Sequence, residues 1–156
     1  MNEAYEEIIQ GEAILRPAPG ARHERICLRL HALVAASLMQ MSVARLLSAR
    51  SVVELTTGTL LRPDLSLVTS ATGKPWLLAE IINAEDHRVD TVVKKSLYED
   101  MNVPRLWMVD ARYDNVEIYH GTQHGLALIC ILAGREIVKE ALLPGLQFKV
   151  VDLFAD

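Results

Sequence analysis

The chain has only two cysteines in 156 residues. Cys27 and Cys130 stand far apart among apolar neighbours, without CxxC spacing, which excludes a disulfide framework or a cysteine metal site and predicts reduced thiols in a cytoplasmic setting. Basic residues are not in excess: 16 Lys and Arg against 20 Asp and Glu give a net charge of −4. A protein so charged is not drawn as a whole to phosphate backbones, so nucleic-acid binding has to come from a local patch. No apolar run approaches the roughly 18 residues of a membrane span, and the first ten residues are acidic where an export signal would be basic. No internal repeat, low-complexity stretch or linker interrupts the sequence. With 51% hydrophobic residues, residues 1–156 are expected to form one domain of the α/β class.

Apolar periodicity supplies the elements. Tyr5 to Leu15 reads as a short helical or irregular start, a Gly turn and a brief strand, with no sign of chemistry. From Ala21 to about Leu47, Ile26, Leu30, Leu33, Val34, Leu38 and Met41 recur at steps of three and four, which predicts a long amphipathic helix covering one face of a sheet. Val52–Leu55 and Thr59–Val68 read as strands joined by a turn at Gly58, with Pro63 at an edge or strand start. Trp76 to Ile82 is an almost unbroken apolar run of strand length, which predicts a central strand covered on both faces. A second helix is expected over about 88–101, with Val89, Val93 and Leu97 inward and Asn102 and Pro104 at its end. Further strands follow at 106–110, 115–120, 126–132 and 136–139, and Leu143-Pro144-Gly145-Leu146 is expected to turn the chain into its last segment.

Within the central run, alternation puts Leu78, Glu80 and Ile82 on one face, so Glu80 points into an apolar layer. A buried carboxylate costs several kcal/mol unless a cation or donors meet it. Asp64, directly after Pro63, starts the preceding strand, and antiparallel pairing would bring it beside Glu80. Two carboxylates that close raise one pKa or recruit a divalent cation. A side-chain cation is also at hand. Asp90, Lys94 and Tyr98 run along one helical stripe beside Val89, Val93 and Leu97, whereas Lys95 shares its side with Arg88, Thr91 and Glu99; helical phase thus selects Lys94. Two carboxylates and a lysine suit phosphodiester hydrolysis, the acids holding Mg²⁺ or Mn²⁺ and the lysine assisting the attacking water. The same spacing also fits a plain Lys94–Glu80 ion pair with Asp64 capping a turn, as in a non-catalytic interaction or regulatory module.

Other residues carry two readings each. Arg22, Arg25 and Arg29 lie on one side of the first helix and are candidate phosphate contacts, or simply a solvated face. His23 sits near the same end, and Tyr98 can hydrogen-bond into the site from one turn beyond Lys94. His120 and His124 flank Gly121 without a third ligand nearby. Trp76 and Trp107 read as core.

Tyr5-Glu6, Gly11, His23, Pro63-Asp64, Leu78-Ala79-Glu80-Ile81-Ile82, Asp90 with Lys94 and Tyr98, Val103-Pro104-Arg105-Leu106-Trp107-Met108-Val109-Asp110 and Leu143-Pro144-Gly145-Leu146 together resemble the Uma-two group of endonucleases. That group lies within the PD-(D/E)XK restriction-endonuclease-like superfamily. The resemblance implies a mixed central sheet flanked by the two helices, a DNA endonuclease activity, and metal held by Asp64, Glu80 and the Ile81 carbonyl. It also implies that Lys94 supplies the superfamily's lysine from the helix, with Ile82 at the usual lysine position. Asn83-Ala84 stands where the family commonly has Ser-Pro, and Leu106 where Tyr is common. A homodimer is expected, because so small a fold can grip a duplex through two-fold symmetry.

Overall fold

The computed structural model describes residues 3–83 and 88–156. Its elements are β1 (Tyr5–Ile9), β2 (Glu12–Arg16), α1 (Ala21–Ser37), β3 (Ala44–Leu46), β4 (Val53–Thr56), β5 (Thr59–Leu61), β6 (Leu65–Thr69) and β7 (Pro75–Ile82). A π-helical turn, Val89–Lys94, then runs into α2 (Lys95–Asp100). The chain closes with β8 (Arg105–Asp110), β9 (Asn115–Thr122), β10 (Gly125–Ala133), β11 (Ile137–Glu140), β12 (Leu143–Lys149) and α3 (Val151–Phe154).

Among the described residues, a six-stranded sheet has the order β10-β9-β8-β7-β6-β3, a four-stranded one β2-β1-β5-β4, and β11 pairs with β12 alone. The large sheet is mixed: β7 and β8 are parallel, Leu77 to Ile82 against Arg105 to Asp110, while the other strand pairs run antiparallel. The segment containing α2 is the crossover that a parallel pair requires. Strand β7 lies inside this sheet, and its side-chain alternation divides the interior in two. Leu77, Ala79 and Ile81 join Ile26, Leu30 and Val34 of α1 in one core. Leu78 and Ile82 join Tyr98, Leu61, Val103 and Met108 in another. Glu80 shares the second face by parity.

Four local expectations change. The amino-terminal stretch is a hairpin, Tyr5↔Arg16 through Ile9↔Glu12, because Gln10 and Gly11 both take positive φ (51° and 81°), the geometry of a tight two-residue turn. Helix α1 stops at Ser37, and the apolar residues beyond it serve a strand: Ala44↔Thr69 and Leu46↔Leu67 extend the sheet edge, so ladder hydrogen bonds override a helical period that continues by chance. Leu143 to Leu146 lies within β12, where an irregular register opposite Lys139 and Glu140 accommodates Pro144. Gly145 packs on the end of α1, where an added Cβ would sit 2.6 Å from the Ser37 carbonyl oxygen.

The fourth change concerns the second helix. Its fully buried stripe is Asp90, Lys94 and Tyr98, whereas Val89, Val93 and Leu97 are only half-buried. The charged residues therefore take the centre of the interface, because partners for them wait on the facing strands. The π turn spaces them, a distortion that recurs at functional sites. Asn102, at φ 55°, ends the helix as expected.

Candidate functional site

Asp64 lies between β5 and β6, next to Pro63. The pairing Leu65↔Ala79 sets it against the carboxyl-terminal half of β7, where the Ile81 N–H donates to Oδ2 at 2.8 Å. Oδ1 meets Arg50 Nη1 at 3.2 Å and His23 Nε2 at 3.4 Å. Burial alone would raise the Asp64 pKa, but His23, the Ile81 amide and Lys94 outweigh it and bring it down to about 2. Asp64 in turn holds the His23 pKa up against the opposite pull of burial.

The depressed Asp64 carboxyl has a stability consequence. Its folded pKa lies below the unfolded value of 3.8, so the stabilisation is complete above that value and is lost as pH falls through the folded one. The size is about 2 kcal/mol. Acid unfolding of the wild type is therefore expected to steepen between pH 4 and about 2, and Asp64→Asn should flatten that part of the curve; an unchanged profile in the variant would remove this assignment.

Glu80 lies deeper. Its Oε1 is 2.6 Å from Lys94 Nζ and accepts the Tyr98 hydroxyl at 2.5 Å. Lys94, wholly buried, also reaches Glu7 Oε2 at 2.8 Å and Asp90 Oδ1 at 3.9 Å. Burial by itself would lower the ammonium's pKa; the carboxylates of Glu80, Glu7 and Asp90 raise it instead, so Lys94 carries its proton. Arg16 closes the network from β2, to Glu7 Oε1 at 2.6 Å and to both oxygens of Asp90 at 3.0 and 3.1 Å. Glu7 also accepts the Arg62 N–H at 2.7 Å. Burial pushes the Glu7 pKa up, and Lys94 with the Arg62 amide more than reverses that.

Among the described residues, the cluster brings together five acids, Glu7, Glu24, Asp64, Glu80 and Asp90, and four basic groups, Arg16, Arg50, Lys94 and His23. The Glu80 carboxyl is pushed well above the usual range, first by burial and then by Asp90, Asp64 and Glu7 against the pull of Lys94, so its neutral form is favoured.

A cleft of about 240 Å³ opens over this cluster, lined by Tyr5, Arg16, Pro17–Gly20, His23, Asp64, Ile81, Asn83 and Asp90. Asp64 and Ile81 thus stand at the cleft wall, whereas Glu80 and Lys94 are buried and do not line it. Arg22 bonds the Ala111 carbonyl and Asp114 beside a neighbouring groove. Arg25 pairs with Asp156, and Arg29 with the carbonyls of Leu153 and Ala155; neither lines the cleft. Lys95 is half-buried, its Nζ 4.4 Å from the Tyr119 ring. His120 faces Glu140 at 3.9 Å. Among the described residues, no three His, Cys, Asp or Glu side chains stand ready-made around a metal position.

A family model described as "Putative restriction endonuclease" matches residues 2–151. The chain belongs to the Uma2 family. Among solved structures, it is similar to a "putative nuclease belonging to DUF820" from Anabaena variabilis at 16% identity, with a TM-score of 0.79 over 96% of this chain and 89% of that one. No curated protein matches. At that identity the likeness shows the fold, which is restriction-endonuclease-like.

In this Uma2 member, Glu7, Arg16 and Arg50 are the site-forming residues that the sequence reading missed. A signal existed for the first two: once Gln10-Gly11 is taken as a hairpin turn, alternation puts Tyr5, Glu7 and Ile9 on one face, with a charge among apolar neighbours as at Glu80. Arg50 had none, because it reaches Asp64 and Glu24 from an irregular segment. Of the two family departures beside the site, Asn83 lines the cleft, and Ala84 lies outside the described residues. No described helix is long and apolar enough to cross a membrane.

Proposed function

We propose that this protein is a divalent-metal-dependent endonuclease that hydrolyses DNA phosphodiester bonds at the Asp64–Glu80–Lys94 cluster, in the manner of PD-(D/E)XK enzymes. The observation that carries the reading is a buried cluster of carboxylates, Glu7, Asp64, Glu80 and Asp90, around the buried Lys94, with Asp64 and Ile81 lining a cleft. A buried cluster of oxygen donors is what a hard cation such as Mg²⁺ or Mn²⁺ satisfies. Asp64, Glu80 and the Ile81 carbonyl would hold the ion.

When bound, the ion supplies positive charge at the phosphate and lowers the pKa of a coordinated water. The chain's own groups do the rest. Lys94 stays protonated between Glu80 and Glu7, so it donates hydrogen bonds and offsets developing charge rather than accepting a proton. Tyr98 and Lys94 together fix the Glu80 carboxylate. Arg16 and Glu7 hold Asp90 and Lys94 in register with β7, and His23 with Arg50 orients Asp64. Of the helix arginines, Arg22 lines a groove that shares His23 and Asn83 with the cleft and is the stronger candidate for a backbone phosphate; Arg25 and Arg29 would have to leave their carboxyl-terminal partners first. Two copies acting together would span a duplex.

A second reading has its own support: the cluster is internally paired through ion pairs at 2.6 to 3.2 Å, as in an interaction module that keeps the fold. Incubation of supercoiled DNA with purified protein and Mg²⁺ or Mn²⁺ separates the two. Nicking that requires metal and disappears in Asp64→Ala, Glu80→Ala and Lys94→Ala supports the nuclease; equal nicking in all three variants would sink it. An inert wild type favours the module.

A further inference from the structure

Strand β10 ends the large sheet and carries the sequence Gly-Leu-Ala-Leu-Ile-Cys-Ile-Leu-Ala, with no charge and no proline. Natural edge strands are usually blunted by such residues. Here the blunting is confined to the ends. The Leu126 N–H donates to Glu99 Oε2 at 2.8 Å, and the Ala133 N–H to Glu136 Oε1 at 3.0 Å, so both residues face outward, away from β9. Between them Leu128, Ile129 and Ile131 are each about half exposed, at 48%, 53% and 51%.

Backbone parity then fixes which groups are open. Leu126 faces outward, so Leu128 does; Ala133 faces outward, so Ile131 does. The two series are out of phase by one residue, and the bulge between Leu128 and Cys130 reconciles them, since a bulge sets two residues against one. The outward residues are therefore 126, 128, 131 and 133, a set symmetric about the midpoint of 129 and 130. Antiparallel partners exchange hydrogen bonds only between residues that both face the interface. One two-fold register satisfies every position: Leu128 opposite Ile131 of a second copy, and Ile131 opposite its Leu128. Leu128 and Ile131 pair with Tyr119 and Glu117 on β9, so they emerge on the same sheet face and would pack directly across the seam.

We propose that a second copy of this chain pairs antiparallel with β10 around this axis and makes one continuous sheet of the two. The middle of the strand is neutral, so pairing there brings no charge into the seam of two copies with net charge −4, while the register sets Glu99 at Leu126 of one copy near Glu136 at Ala133 of the other, which confines the ladder to its middle. Two apolar side chains per copy and a short ladder make a small contact beside the roughly 1,600 Å² of a standard interface, so association is expected to depend on concentration. This inference stands on the strand alone and does not need the nuclease reading.

Sedimentation velocity over a wide concentration range tests it. The wild type is expected to pass from monomer to dimer, and Ile131→Lys and Leu128→Glu each to weaken the dimer roughly a hundredfold, with unchanged circular dichroism. Mixing the two variants should restore dimers, because the register sets the introduced lysine of one against the introduced glutamate of the other and leaves a wild-type contact at the second position. A wild type that stays monomeric, a dimer that survives both substitutions, species larger than a dimer, or a mixture that stays monomeric would each overturn the proposal. If one variant fails to fold, the other still decides whether β10 is the seam.

Discussion

Lys94→Ala is expected to lower the melting temperature by roughly 6 to 20 °C. The ammonium stands 2.6 Å from Glu80 and 2.8 Å from Glu7 with no exposure, and removing one partner of a buried ion pair costs about 3 to 5 kcal/mol. For a chain of this length each kcal/mol moves the midpoint by about 2 to 4 °C. The loss should shrink at mildly acid pH, where the abandoned carboxyls take up protons, and in Glu80→Ala/Lys94→Ala, where fewer buried charges are left unpaired. Differential scanning calorimetry of the single and double variants measures both effects. A Lys94→Ala midpoint within about 2 °C of the wild type, less than the change produced by 1 kcal/mol, would mean that the ammonium is not held between these acids.

Glu80→Gln is expected to do the opposite: to leave the fold nearly intact and to reduce affinity for a divalent cation at least roughly a hundredfold, on the scale of a lost metal ligand or its support. An amide at this position still offers an oxygen to Lys94 and Tyr98, and burial together with Asp90, Asp64 and Glu7 already pushes the carboxyl toward its neutral form. The substitution therefore removes a charge that the protein alone finds costly and that only an added cation needs. Stability and metal binding separate in this variant, as they would not if Glu80 served only as a structural counter-ion of Lys94. In that case Glu80→Gln would destabilise without changing the response to metal.

The reading of β7 from sequence succeeds for a physical reason. A strand buried on both faces has no place for a charge, so Glu80 among Leu78, Ile81 and Ile82 announces a partner wherever the fold puts it. The Asp64–β7 proximity also follows from patterning, because Asp64 stands at the head of the strand that precedes β7; the parallel β7–β8 pair was not among the expectations, although strand, helix and strand in that order leave few arrangements. Helical phase separated Lys94 from Lys95, although it misjudged which stripe is central: apolar residues were expected inward, and three polar ones occupy that line because Glu80, Glu7 and Arg16 meet them there. The network's far side was legible only as buried charges on an amino-terminal hairpin, without the partners they meet. Glu7 and Arg16 approach Lys94 and Asp90 from 74 or more residues away, and only the docking of the amino-terminal hairpin brings them in. The end of α1 was obscured likewise, since Ala44 to Leu46 fits a helical period as well as the sheet edge it joins.

The metal-holding role of the two carboxylates is tested most directly by calorimetric titration of Mn²⁺ into the wild-type protein, Asp64→Asn and Glu80→Gln. The account predicts a single binding event in the wild type that disappears in Asp64→Asn and weakens at least roughly a hundredfold in Glu80→Gln, while both variants keep the wild-type circular dichroism. No binding to the wild type, or the same affinity in all three proteins, would contradict it.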